Sequence, residues 1–210
     1  MFYTKKKYEL LNLSTMTLIP LPPYPADLKV KYENLIKTLS LIPKNNDFLK
    51  KIYEYLDEYN KFVKTFTKCK QSCGYCCDMP VGITLIEAEY IKTYNKRLKI
   101  DINYLHPLKI IENQRTMKYF KICPFLNSQN DCSIYKTRPF ACRTYHSLDG
   151  PEACKDRDGY HNYYGGQDPE SMASGKINLG SDILNGLSMT ILLRNKNQTI
   201  KDIKDFFPLK

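Results

Sequence analysis

The chain of 210 residues has no tryptophan and only three histidines, His106, His146 and His161. None of the three sits in a nucleophile motif, so a serine–histidine–aspartate hydrolase cannot be argued. No G-x-G-x-x-G loop follows a strand-like run, which leaves a conventional Rossmann cofactor site unsupported. The carboxylates Glu87 and Glu89 fall on different sides of their helix and read as capping and surface charge, so paired-carboxylate glycosidase chemistry has no support. No stretch approaches the roughly 18 to 20 continuous apolar residues of a membrane span.

Arginine is also scarce. The net charge is +10, yet only six of the 32 basic residues are arginine: Arg97, Arg115, Arg138, Arg143, Arg157 and Arg194. Arginine is the better reader of phosphates and base edges. The charge therefore favours a solvated lysine-rich surface over a nucleic-acid interface. A secretory leader is not evident either. Glu9, Asn12, Ser14, Thr15 and Thr17 interrupt the apolar run near the start, and no small-x-small cleavage site follows. These absences point to the cytoplasm, where thiols stay reduced and a cysteine cluster is more often a metal site than a disulfide framework.

What is present is cysteine. The stretch CKQSCGYCCDMP packs Cys69, Cys73, Cys76 and Cys77 into nine residues, and Cys123, Cys132, Cys142 and Cys154 follow. A continuing helix would set the first four at i, i+4, i+7 and i+8, on one face. A break at Gly74 would instead make CGYC a knuckle whose two sulfurs can reach one ion. Adjacent Cys76 and Cys77 are awkward for a single tetrahedral ion, because neighbouring side chains diverge. The pair suits a polynuclear centre, two ions, or one ligand beside a packed thiol. Eight residues separate Cys123 from Cys132 and nine separate Cys132 from Cys142, so a compact fold can bring them to the first group. Eight thiolates can fill two four-ligand sites, or one site with spares. Lys68, Lys70, Lys121, Lys136, Arg138 and Arg143 flank the cysteines and would offset thiolate charge.

The remaining pattern is mainly α: a helical frame with an irregular, cysteine-rich metal-binding segment and at most a short hairpin. Residues 1–24 read as an extended lead-in, because four prolines in IPLPPYP cannot sustain a helix. Residues 25–210 read as a single helical domain, with the cysteine core at 69–154. Helical spacing runs from Asp27 to Ile42. It resumes after a cap at Asn46 or Asp47, where Leu49, Ile52, Leu56, Tyr59, Val63 and Phe66 form one stripe that runs into Cys69. Thr84 and Glu87 have the spacing of a capping box for a helix from about Leu85 to Lys96. Further helices are expected over 102–119 and 179–195, with a long polar loop at 158–175 and a short amphipathic end.

CKQSCGYCC, PVGITLIEAEYI, CPFL and CSIYKTRPFACRTY together resemble the cysteine-cluster (CxxCxxCC-type) family of zinc- or iron-chelating domains over about residues 69–146. By position the resemblance implies metal ligation by Cys73, Cys76, Cys77, Cys123, Cys132 and Cys142. Cys69, set one residue too far upstream, and Cys154 are additional candidates. Tyr135, Arg138, Pro139 and Arg143 match the family's non-cysteine positions, and Tyr135, Arg138 and Arg143 are expected around the ligands. The implied cofactor is zinc or iron, the latter as an ion or an iron–sulfur cluster. The cysteine segment of flagellin lysine-N-methylases is distantly similar. Three readings follow: a mainly structural metal centre; an iron–sulfur redox or S-adenosylmethionine-dependent enzyme, with Arg143, Tyr145, His146 and His161 as residues to inspect; or a zinc-stapled adaptor for nucleic acid or protein.

Overall fold

The computed structural model describes residues 22–43, 46–101, 122–148, 150–155, 163–164, 179–194 and 200–208. The expected helix at 102–119, His106, Lys121, His161, most of the 158–175 loop and all but the end of the lead-in lie outside them. Helices dominate what is described. They are α1 (Ala26–Leu41), α2 (Asn46–Val63), α3 (Leu85–Tyr94), α4 (Phe140–Thr144), α5 (Pro151–Lys155), α6 (Leu179–Arg194) and α7 (Ile203–Phe206). Among the described residues no helix is long and apolar enough to cross a membrane.

The stripe on α2 builds the larger core. Leu49, Ile52, Leu56, Tyr59 and Val63 are all fully buried, and they pack with Leu35 and Leu39 of α1 and with Ile183, Leu184, Leu187 and Ile191 of α6. Each such burial contributes about 1.5–3 kcal/mol. Gly186 is the close-approach point between α6 and α1: a Cβ there would meet the Tyr32 hydroxyl at 2.7 Å. Arg194, at the end of α6, donates to the carbonyls of Leu39 and Ile42. It thereby satisfies acceptors that the end of α1 leaves open.

Two features of α2 differ from expectation. The helix begins at Asn46 itself, so Asn46 and Asp47 lie in its first turn rather than before it. It ends at Val63, six residues short of Cys69, and a chain of turns intervenes. Phe66 has left the helix and only rests against the core. Local periodicity continued past Val63, but the Thr67 amide and hydroxyl close back onto the Val63 carbonyl, and the last turn is used up there.

Strands are few, but they do not form a local hairpin. β1 (Gly82–Thr84) pairs antiparallel with β4 (Ile200–Asp202), and β2 (His146–Ser147) pairs with β3 (Tyr163–Tyr164). The first pairing ties the chain's last described segment to the residues just after the cysteine cluster. It supports a second, smaller core of Ile83, Ala88, Ile91, Phe125, Ile134, Ile203, Phe206 and Phe207, against which Cys123 and Cys132 pack.

The capping box at α3 is present: the Glu87 amide donates to Thr84 Oγ1, and the Thr84 amide donates to Glu87 Oε2 at 2.9 Å. Glu87 is not surface charge, however. It is buried, and its Oε1 accepts from the Tyr53 hydroxyl at 3.1 Å and the Phe140 amide at 2.8 Å. One carboxylate thus joins α2, α3 and the start of α4.

Candidate metal centre

The cysteine cluster breaks rather than continuing as a helix. Ser72 takes the left-handed conformation, φ 66°, and its hydroxyl donates to the Asp131 carboxylate. Residues Tyr75–Asp78 then form one 3-10 turn. Gly74, at φ −92° and ψ 5°, adopts a backbone open to any residue, so it is not there for conformational freedom. Its role is proximity: a Cβ would come within 2.9 Å of Leu126 Cδ1. The tight turn carries both Cys76 and Cys77.

The second cysteine segment meets the first through the backbone. The Cys123 amide donates to the Cys77 carbonyl at 2.8 Å. From there the chain makes a compact loop, closed by Ser133 N to Phe125 O at 2.8 Å and by Asn127 N to Asp131 O at 2.9 Å. Asn130 supplies the left-handed residue, φ 61°, which asparagine tolerates better than most. A 3-10 turn at Tyr135–Thr137 leads to Pro139 and into α4, which carries Cys142.

The outcome is one cavity of about 480 Å³ lined by Cys73, Cys76, Cys77, Cys123, Cys132 and Cys142. Cys69 and Cys154 do not line it. Tyr135 and Arg138 do, and they are stacked, the guanidinium carbon 3.8 Å from the ring centroid. Arg143 sits elsewhere. Buried, it donates to Asp57 at 2.7 Å and to the carbonyls of Arg138 and Lys136, and lies over the Tyr53 ring. It holds the cysteine-bearing segment to α2 without reaching the sulfurs, because its fork is already spent on carbonyls and a carboxylate. Of the flanking lysines, Lys70 lines the cavity, while Lys68 and Lys136 face solvent.

His146 is neither a surface residue nor a cavity residue. It is 5% exposed, and its Nε2 lies 2.9 Å from Asn60 Oδ1 and 3.0 Å from the Arg143 carbonyl. Both neighbours are acceptors, which assigns the proton to Nε2. Desolvation is the first cause that lowers its pKa to about 4. A neutral histidine locked behind α4 is a packing element. It is not placed to ligate an ion in the cavity or to shuttle protons there. Tyr145, by contrast, lines the cavity.

A functional residue that the sequence analysis missed is Lys204, on α7. Its ammonium donates to the carbonyls of Asp78 at 3.0 Å and Met79 at 2.6 Å, at the end of the Cys76–Cys77 turn. Its charge also acts to lower the Cys123 thiol pKa, against the rise that burial causes. One lysine among 32 basic residues carries no local signal that would single it out.

Four sulfurs receive backbone amides, Cys76 from its own N–H. Ser147 N–H donates to Cys69 Sγ at 3.0 Å, Phe125 N–H to Cys123 and Ile134 N–H to Cys132. Amides aimed at sulfur favour the thiolate over the thiol. Burial acts in the other direction. It is the first cause raising Cys69 and Cys123 to about 11 and holding Cys142 well above the usual thiol range. The other cysteines add to this, since Cys76, Cys123 and Cys132 each raise Cys142. Cys76 is lowered, to about 7, chiefly by its interaction with the Cys77 side chain, which is itself raised. Crowded, desolvated sulfurs that repel as anions fit a cation, which would turn their repulsion into ligation. Among the described residues no three Cys, His, Asp or Glu side chains meet as a ready-made ion site.

Residues 68–164 match the family model CxxCxxCC, described as "Putative zinc- or iron-chelating domain". All six cysteines of the cavity fall inside this stretch. So do Cys69 and Cys154. The matched stretch omits α1, all of α2, α6 and the β4–α7 segment, so Lys204 and the Asp57 and Tyr53 partners of Arg143 come from outside it. No curated protein and no solved structure matches the chain.

Proposed function

We propose that this protein is a cytoplasmic metal-binding module whose zinc or iron centre, held by cysteines of the cavity, is mainly structural. The observation that carries the reading is the cavity itself: six cysteines from two segments, with 45 residues intervening between Cys77 and Cys123, line one space. Cys73, Cys76, Cys77, Cys123, Cys132 and Cys142 are the set from which the ligands come. The bound group supplies a cross-link between the 73–77 turn and the 123–142 segment. Residues 122–148 have little regular structure of their own, so such a link contributes folding free energy directly. Arg138 and Lys204 offset the negative charge of the thiolates.

Anaerobic purification followed by measurement of zinc, iron and sulfide tests the reading. Bound metal is expected, and its removal should lower the melting temperature and open residues 122–148 to hydrogen exchange. Full metal removal with unchanged stability and unchanged exchange overturns it.

A second reading rests on the rest of the cavity wall. Beyond the sulfurs the space continues to Ile83, Ile191, Leu192 and Ile200, more room than an ion uses. An iron–sulfur redox enzyme, or an S-adenosylmethionine-dependent enzyme similar to protein-lysine methylases, would need such room for a cosubstrate. Isothermal titration with S-adenosylmethionine and a redox titration of the visible spectrum decide it: no binding and no redox-active centre remove this reading.

A further inference from the structure

We propose that the metal centre sits on a seam between two separately packed cores, and that residues 200–207 are the latch of that seam. The smaller core opens as a unit, and the metal enters and leaves by that opening. The inference rests on the metal-binding reading above and adds the control of metal exchange.

The larger core is built on α1, α2 and α6, and Phe140 of α4 belongs to it. The smaller core gathers Ile83, Ala88, Ile91, Phe125, Ile134, Ile203, Phe206 and Phe207. Helix α3 serves both, with Ile86 and Tyr90 in the larger and Ala88 and Ile91 in the smaller. The cavity takes its walls from both as well: Phe140 and Ile191 from the larger, Ile83, Ile134 and Ile203 from the smaller. The cysteines divide in the same way. Cys142 is carried by α4, two residues after Phe140, whereas Cys123 and Cys132 pack against the smaller core. An ion with ligands from both ties one core to the other. It escapes only when the cores part, because a single detached thiolate is held close and rebinds before the rest let go.

Residues 200–207 close the smaller core without supplying a cysteine. β4 pairs with β1, Ile203 N donates to Val81 O at 2.9 Å, and Val81 N donates to Asp202 Oδ2 at 3.0 Å. Lys204 holds the Asp78 and Met79 carbonyls at the exit of the cysteine turn. Asp101 N donates to Phe206 O at 2.9 Å, and Lys201 Nζ to Asp101 O at 3.0 Å. The Phe207 ring meets that of Phe125, centroids 5.1 Å apart, two residues after Cys123. The segment thus touches both cysteine-bearing stretches. These bonds and this ring contact run to residues 78–84, Asp101 and Phe125, not to α1, α2 or α6. Its release removes Ile200 and Ile203 from the cavity wall. Proteins open in contiguous cooperative units that cost less than global unfolding. Eight buried apolar residues against 17 make the smaller core the weaker unit, since stabilisation follows the apolar area removed from water.

Hydrogen exchange on the metal-free and the zinc-loaded chain, with zinc transfer to a chromophoric chelator, tests the latch. In metal-free protein 78–84, 122–134 and 200–207 are expected to exchange together, about tenfold or more faster than α2 and α6, and zinc should slow all three together. Ile91→Val and Ile183→Val make the same cut in the smaller and the larger core, and neither residue lines the cavity. Ile91→Val should speed zinc release about two- to tenfold, the range for such a buried truncation, whereas Ile183→Val should change it by less than about twofold. Equal exchange in both cores overturns the latch and leaves the metal centre standing. So does exchange of 200–207 at a rate unlike that of 122–134, or equal zinc release from the two variants. No zinc binding by any of the three proteins overturns the metal-binding reading and the latch together.

Discussion

The backbone amide of Cys123 donates to the carbonyl of Cys77 at 2.8 Å. This bond joins the two cysteine-bearing segments through main chain alone, without any sulfur taking part. The 123–142 segment is therefore positioned against the 73–77 turn by polypeptide contacts, and a metal adds to a juxtaposition already in place. The surroundings that hold this arrangement are the part most open to experiment.

Glu87 accepts from four donors: the Thr84 amide and hydroxyl, the Tyr53 hydroxyl and the Phe140 amide. A carboxylate has acceptor capacity for all of them, whereas an amide turns one of its two ends into a donor. Glu87→Gln should therefore leave buried donors facing an NH2 group and cost about 1–3 kcal/mol. Urea unfolding gives the difference, and a loss under 0.5 kcal/mol, the size of an ordinary surface change, would show that the carboxylate is not the junction described.

Lys204 holds two carbonyls at the end of the cysteine turn from outside the matched stretch. Lys204→Met keeps most of the stem and removes the donors. It is expected to destabilise the protein by about 2 kcal/mol through the unsatisfied carbonyls and to weaken metal binding several-fold, read by competition with a chromophoric chelator. Lys204→Arg, which keeps the charge but changes its shape, should fall between the two. Equal metal affinity in all three proteins would reduce Lys204 to a buried anchor of α7 with no part in the metal centre.

His146 makes stability depend on pH. Its pKa is lowered to about 4 in the folded protein, first by desolvation, and an unfolded chain titrates near about 6.5. Between those values the unfolded state binds a proton that the folded state refuses. The stability is fully present above the unfolded value. It falls as pH drops through the window, by up to about 1.4 kcal/mol per pH unit. His146→Gln should flatten that slope between pH 6.5 and 4 relative to wild type, whatever offset it brings. A parallel slope in wild type and variant would assign the acid sensitivity to other groups.

Much of the frame was legible because it depends on near neighbours in sequence. The α2 stripe, the extent of α1 and α6 and the Thr84–Glu87 capping box all follow from spacing within a turn or two, and each is present. The grouping of six cysteines was legible for a different reason: cysteine is rare, so its recurrence at short intervals carries weight. Burial was not legible. His146 and Glu87 look like surface residues in the chain, and only packing from α2 and α4 desolvates them. The sharp turn that a shared ion would ask of adjacent Cys76 and Cys77 was not legible either, and the chain there makes a 3-10 turn.

The sequence by itself determined that this chain is mainly helical, that its cysteines recur at short intervals, and that residues 68–164 match a family model for zinc- or iron-chelating domains. Those properties are set by residue type and short-range spacing. Only the tertiary structure decided that Cys69 and Cys154 stand apart from the other six. The same is true of Arg143, which braces the segment from behind while Arg138 faces the sulfurs, and of Lys204, which reaches the cysteine turn from 126 residues away. These relationships depend on the pairing of β1 with β4 and on the packing of α5 and α7. Such contacts join residues distant in the chain, and local periodicity contains no term for them.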